Sequence, residues 1–252
     1  MKSSFWIMLL ICFISTSLHA SYEDSLAVAY ASYLKGEKSK TVAERRESFN
    51  DSLALYSDLE SAIPSPDGRL YLNIGNCFFQ LEEYGWAIYY YNMAINLMPR
   101  EARIRKNLEI AQQKAGLKVE DKTAFFSSQV SIKEKESLFK TSFLIWVILM
   151  SLFIWKRSRN VQRIAFAIGG IVTIWGLTLA YSYAFPEVKG VFVRPAKLHR
   201  DAGEQYALVK EELLPQGEKV HVIDVMTDGK WLKVSTSDGT MGFVSHSAIR
   251  IM

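Results

Sequence analysis

The sequence predicts a multidomain membrane protein: all-α helical hairpins in the N-terminal half, two transmembrane helices in the middle and an all-β barrel at the C-terminus. Three observations carry this. Residues 138–155, interrupted only by Lys140, and residues 164–185, with no charge at all, each approach the ~20 apolar residues that a spanning helix needs. Upstream, apolar side chains recur at helical spacing between turn signals. Downstream, short β-type runs alternate with Asp-Gly turns.

A bilayer offers no water to the peptide groups, so each apolar run must satisfy its own N–H and C=O groups as a helix. The linker between them, residues 156–163, carries Lys156, Arg157, Arg159 and Arg163 and no acid. Basic residues in short loops are retained in the cytoplasm, which predicts a two-pass hairpin with both soluble flanks on the extracytoplasmic, periplasmic side of the inner membrane. The competing reading is a buried helix pair in a large globular core. Gly169, Gly170 and Gly176 would let a neighbouring helix approach the second span closely.

The chain has 252 residues and a formal charge of +4. Residues 21–140 and 186–252 are each near charge balance, so the excess lies in the basic linker and at Lys2. It is a topology signal and excludes a nucleic-acid-binding surface. Residues 1–20 combine Lys2, an apolar centre and a small-residue end at Ala20, the pattern of a secretory signal peptide. Cleavage after Ala20 is expected; bulky Leu18, three residues before that cut, keeps an uncleaved anchor as the alternative. Ile11 stands where a lipoprotein would need a small residue before Cys12, so lipidation is not expected. Cys77 is then the one remaining thiol, without an internal disulfide partner, and is expected to pack as a small apolar residue.

Residues 21–67 read as a helical hairpin. Leu26, Ala27, Tyr30, Ala31, Tyr33 and Leu34 form one stripe that stops at Gly36, residues 35–46 look charged and loose, and Phe49, Leu53, Tyr56 and Leu59 form the second stripe before a Pro-rich turn. In residues 68–101, Tyr71, Ile74, Gly75, Phe78, Ala87, Tyr91, Ala94 and Pro99 recur with the order and spacing of the tetratricopeptide repeat, a ~34-residue helix-turn-helix that this segment resembles. The residue types make physical sense. Gly75 and Ala87 let the helices cross closely, Phe78 and Tyr91 fill the adjoining gap, and Pro99 stops the second helix. Residues 21–67 fit the same template as a degenerate repeat, and residues 102–117, with Gly116 as stop, as a capping helix.

The resemblance places a ligand groove on the first helix of each pair: Arg69, Leu72, Asn73, Asn76 and Phe79, with Arg103, Lys106 and Asn107 from the cap. Asn73 matches the asparagine of family members that clamp a partner's terminal carboxylate, and Arg103 a basic clamp position; Asn107 replaces the second basic residue. The resemblance thus implies an acidic or C-terminal peptide as ligand, against a plain solvated face.

Residues 118–137 read as a juxtamembrane connector, partly helical near its end, with Phe125 and Phe126 at the bilayer surface. Residues 187–252 contain strand candidates at 190–193, 219–225, 231–234 and 240–244, with turns at Asp228-Gly229 and Asp238-Gly239. Leu198, Arg200, Gly217, Val220, the Trp231-Leu232-Lys233-Val234 phrase and Gly242-Phe243-Val244 make this segment similar to the bacterial SH3-like domains, with Phe243 in place of the usual tryptophan. Trp231 either packs over the barrel end or lines a groove for peptide or cell wall. His221 is expected to face solvent, and no metal-ligand spacing links it to His199 or His246.

The order of the modules resembles the BatE-like family of bacterial aerotolerance proteins. That resemblance implies a membrane-anchored, non-catalytic adaptor for protein partners, among them membrane-bound von Willebrand A-domain proteins, with peptidoglycan binding as the alternative. No catalytic constellation, cofactor motif or metal cluster is read in the sequence; Glu82-Glu83 and Glu211-Glu212 are adjacent and point apart.

Overall fold

A computed structural model describes residues 22–64, 66–117, 132–156, 159–184, 188–227 and 229–252. The expected signal peptide, residues 118–131 of the connector, Arg157-Ser158 of the basic linker, Pro186 and Asp228 lie outside the described residues. The chain divides into two compact units: Met1–Glu120 together with Lys189–Met252, and Asp121–Val188.

The first unit begins with helix α1, residues 22–38, and α2, Val42–Ala62. The expected loose segment from 35 to 46 is far shorter, because the Thr41 hydroxyl caps α2 by accepting the Glu44 N–H at 3.2 Å. Gly36 lies inside α1 rather than ending it. A Cβ there would come within 2.8 Å of the Phe49 ring, so the glycine serves the crossing of the two helices.

Asp67 caps α3, Gly68–Gln80, by accepting the Leu70 N–H at 2.8 Å. Helix α4, Tyr84–Leu97, returns alongside it and stops two residues before Pro99. At their crossing a Cβ on Gly75 would come within 2.7 Å of the Tyr91 ring. Helix α5, Ala102–Lys114, ends in a Schellman turn: Gly116 adopts φ +76° and the Leu117 N–H reaches Gln112 O at 2.9 Å. Leu72, Ala87, Ile88, Tyr91, Ile104 and Ala111 are buried together, while Ala29, Tyr56, Leu70, Ile74 and Cys77 form the core between the first two hairpins.

Five antiparallel strands follow: β1 Lys189–Phe192, β2 Lys219–Val225, β3 Trp231–Ser235, β4 Met241–Ser245 and β5 Ile249–Ile251, in spatial order β4-β3-β2-β1-β5. The outermost strands, β4 and β5, are joined by a single 3₁₀ turn, His246–Ala248. Laid flat, five strands would hold their edges roughly 19 Å apart, while three 3₁₀ residues span about 6 Å, so the sheet must roll up. Phe192, Leu198, Val220, Leu232, Val234, Val244 and Ile249 fill the interior.

The rolled sheet is docked on α4. Phe192 enters the sheet's own core, but Val191, one residue earlier and on the opposite face, is fully buried in the helical core with Ile88 and Tyr91. Met252 joins the same cluster. Gly85 meets the Val193 backbone so closely that a Cβ would sit 2.5 Å from its carbonyl oxygen. The Gly85 N–H donates to Gln216 Oε1 at 3.4 Å, Tyr89 Oη donates to Ile251 O at 3.4 Å, and the Arg250 guanidinium lies 4.8 Å from the Trp86 ring centre.

The second unit contains α6, Ile132–Lys156, and α7, Arg159–Ala184, packed as a hairpin. Both are long and apolar enough to cross a membrane, and large apolar side chains such as Ile154, Phe166 and Ile174 face outward. Gly169 receives the Trp146 ring and Gly176 the Phe139 ring, whereas Gly170 faces open space.

Candidate functional site

Helices α1, α3 and α5 are the first members of successive helix pairs, and their exposed faces meet in a concavity of about 250 Å³. Its walls are Tyr33, Asn76, Phe79, Gln80, Asn107 and Ile110, with the Tyr91 hydroxyl reaching the floor from α4. Burial of the Tyr91 ring requires a partner for its hydroxyl, and Asn76, one residue from the glycine that admits the ring, supplies it: Tyr91 Oη donates to Asn76 Oδ1 at 2.9 Å. Asn107 Nδ2 donates to the same oxygen at 3.0 Å, joining α3 to α5. Gln80 Nε2 donates to Tyr33 Oη at 3.3 Å.

Among the described residues no formally charged side chain lines this groove, although the Glu37 carboxyl bears on the Tyr33 hydroxyl from beside it. Burial pushes the Tyr33 phenol up to about 12 and raises Tyr91 as well, so both hydroxyls keep their protons over the physiological range. The lining itself is uncharged, polar on its floor and apolar on its flanks.

Of the residues singled out in the sequence, Asn76, Phe79 and Asn107 converge here. The other five lie elsewhere. Arg69 holds Asp67 at 3.1 Å and Glu23 at 3.2 Å. Arg103 is exposed and holds Glu101 at 2.9 Å, Lys106 projects into solvent, and Asn73 is half-buried one turn before Asn76. Leu72, expected in the groove, is instead buried in the core behind it. Sequence reasoning missed Tyr33, Gln80, Tyr91 and Ile110. Tyr91 was legible as a gap filler, but its hydroxyl needed a partner, and the asparagine beside Gly75 was the signal.

A second concavity, of about 790 Å³, opens on the rolled sheet between Glu204, Gln205, Lys230, Trp231, His246 and Arg250. Trp231 is half-buried, with the His199 ring edge-on at 5.3 Å. His199 Nδ1 faces Tyr206 O at 3.0 Å and His246 Nδ1 faces Gly229 O at 2.9 Å. A carbonyl can only accept, so each Nδ1 carries a proton. Among the described residues no three His, Cys, Asp or Glu side chains are grouped as metal ligands. No protein-family model matches the chain, and no curated protein matches it.

Proposed function

We infer that this chain is a membrane-anchored, non-catalytic adaptor whose helical groove holds a segment of a partner protein. The observation that carries the reading is the docking of β1 on α4, which joins the segments before and after the two apolar helices into one folded body. Such a body can form only if both segments reach the same compartment, and two crossings between them satisfy that condition. The uncompensated basic residues of the linker then favour the extracytoplasmic face.

The groove and the sheet belong to one compact unit rather than to two tethered modules. A partner that touches both surfaces meets them already oriented, which reduces the ordering cost of binding. The order of the modules supports assignment to a BatE-like aerotolerance or envelope-stress complex, with a membrane-bound von Willebrand A-domain protein as the partner. The test is site-specific photocrosslinking in intact cells from Ile110 in the groove and Asn96 on α4. The adaptor reading expects adducts with a membrane protein from position 110 alone; no adduct there, or equal adducts from both, removes the groove from it.

The concavity beside Trp231 favours a second reading, cell-wall binding. It combines an aromatic face, hydroxyls from Ser245 and Ser247, and side chains of both charges, a lining suited to a zwitterionic glycopeptide. Sedimentation of the full-length protein with purified peptidoglycan tests it, and Trp231→Ala should release the protein to the supernatant.

A further inference from the structure

We propose that the groove between α1, α3 and α5 is a carboxamide pocket: it takes the side chain of a glutamine or asparagine in an uncharged partner segment, not a terminal carboxylate. This rests on the reading of the groove as a partner site and names the chemistry it selects. Asn76 Oδ1 is already occupied by two donors, Tyr91 Oη and Asn107 Nδ2. The return bond, from Asn76 Nδ2 to Asn107 Oδ1, is not made. Among the described residues these two atoms have no protein partner and both are open to solvent, which leaves donor and acceptor capacity free on the amide pair that lines the groove.

That pairing does not depend on how the amides are oriented. Turning Asn76 alone would set two donors against each other, so both must turn together, and the turned pair again presents one free donor and one free acceptor. A carboxylate can satisfy only the donor and would place its charge against an amide oxygen in a groove without a cation. A carboxamide satisfies both atoms at once, with its methylenes against Phe79 and Ile110. The volume, about 250 Å³, accommodates a side chain but not a folded element. Arg69 and Arg103, the cations that might have called for a carboxylate, lie outside the groove lining and hold Asp67, Glu23 and Glu101.

The test uses the full-length chain in detergent micelles with ¹⁵N-labelled asparagine, so that the side-chain NH₂ signals of Asn76 and Asn107 report directly. The probes are capped tripeptides, Ac-Ala-X-Ala-NH₂, with X as Gln, Glu, Met or Ala. A carboxamide left without its partners loses at least about tenfold in affinity, so the Gln peptide should shift both signals saturably and the other three at least tenfold more weakly. Asn107→Ala should remove the preference for Gln over Met. Equal response to all four peptides would assign the floor to main-chain amides, stronger binding of the Glu peptide would restore the carboxylate clamp, and no shift at either asparagine would empty the site; each overturns the proposal. Partner adducts from position 110 that persist alongside such a result would leave the adaptor reading standing and sink the carboxamide alone.

Discussion

Burial governs the chemistry of Cys77. The thiol is fully buried between the first two hairpins, where desolvation pushes it up to about 11 while its hydrogen bond with Ser52 pulls the other way. An alkylating reagent at neutral pH should therefore modify Cys77 only as fast as the helical core opens, and addition of denaturant should release the reaction. The same shift carries a stability consequence. The unfolded chain loses this proton near 9.0 and the folded chain near 11, so the contribution is fully present below pH 9 and is lost as pH rises through 11. Thermal unfolding should shift to lower temperature across that window, and Cys77→Ala should reduce the fall without abolishing it, leaving the part due to the buried tyrosines, among them Tyr22 and Tyr33, each pushed up to about 12, and Tyr56, Tyr90 and Tyr91, which burial raises further. A second residue to test is Gly75, where the added methyl of Gly75→Ala would strike the buried Tyr91 ring. The expected loss is about 1–3 kcal/mol by denaturant titration, the usual cost of overfilling a close crossing.

At the scale of elements, α4 depends on the sheet for its start. Glu83 makes no side-chain cap, and the first-turn N–H of Gly85 is met instead by Gln216, from the turn that leads into β2. Gly85→Ala would push a methyl into the Val193 backbone, which cannot swing away as a side chain could. It should open the seam: amide exchange at Val191 and Phe192 should accelerate, and Gln216→Ala should do the same more mildly, by about 0.5–2 kcal/mol. This seam was the part of the fold least visible in the chain. The crossing of α3 and α4 was legible because Gly75, Ala87 and Tyr91 stand at fixed spacing, and the two apolar helices because length and lack of charge suffice. The strand after the second apolar run carried a weaker signal. Gly190, Val191, Phe192 and Val193 show none of the alternation of a strand with one solvated face, and all four are buried. An unbroken apolar run says that both faces are covered, but not by what. In the groove, spacing could place Asn76 and Asn107 on facing helices, yet their mutual hydrogen bond depends on the depth at which the Tyr91 ring sits.

The whole molecule raises the question of sidedness, and the docked strand turns it into an arithmetic condition. One body is built from chain on both sides of α6 and α7, so any membrane crossings between its two parts must be even in number. Cys77 is too deeply buried to report on this, because failure to label it would reflect packing rather than location. Exposed positions do better: Asn96→Cys on α4, Ser237→Cys between β3 and β4, and Asn160→Cys at the start of α7, each in a Cys77→Ala background. An impermeant maleimide added to spheroplasts should label positions 96 and 237 alike and spare 160, which should react only after lysis. Labelling of 96 without 237 would mean an odd number of crossings and a seam that cannot exist in the cell. Labelling of 160 alone would keep the seam but reverse the orientation, placing the groove in the cytoplasm and requiring the four basic residues of the linker to have been carried across the membrane. Because parity and orientation give different patterns, one set of three cysteines separates an error in the fold from an error in the compartment.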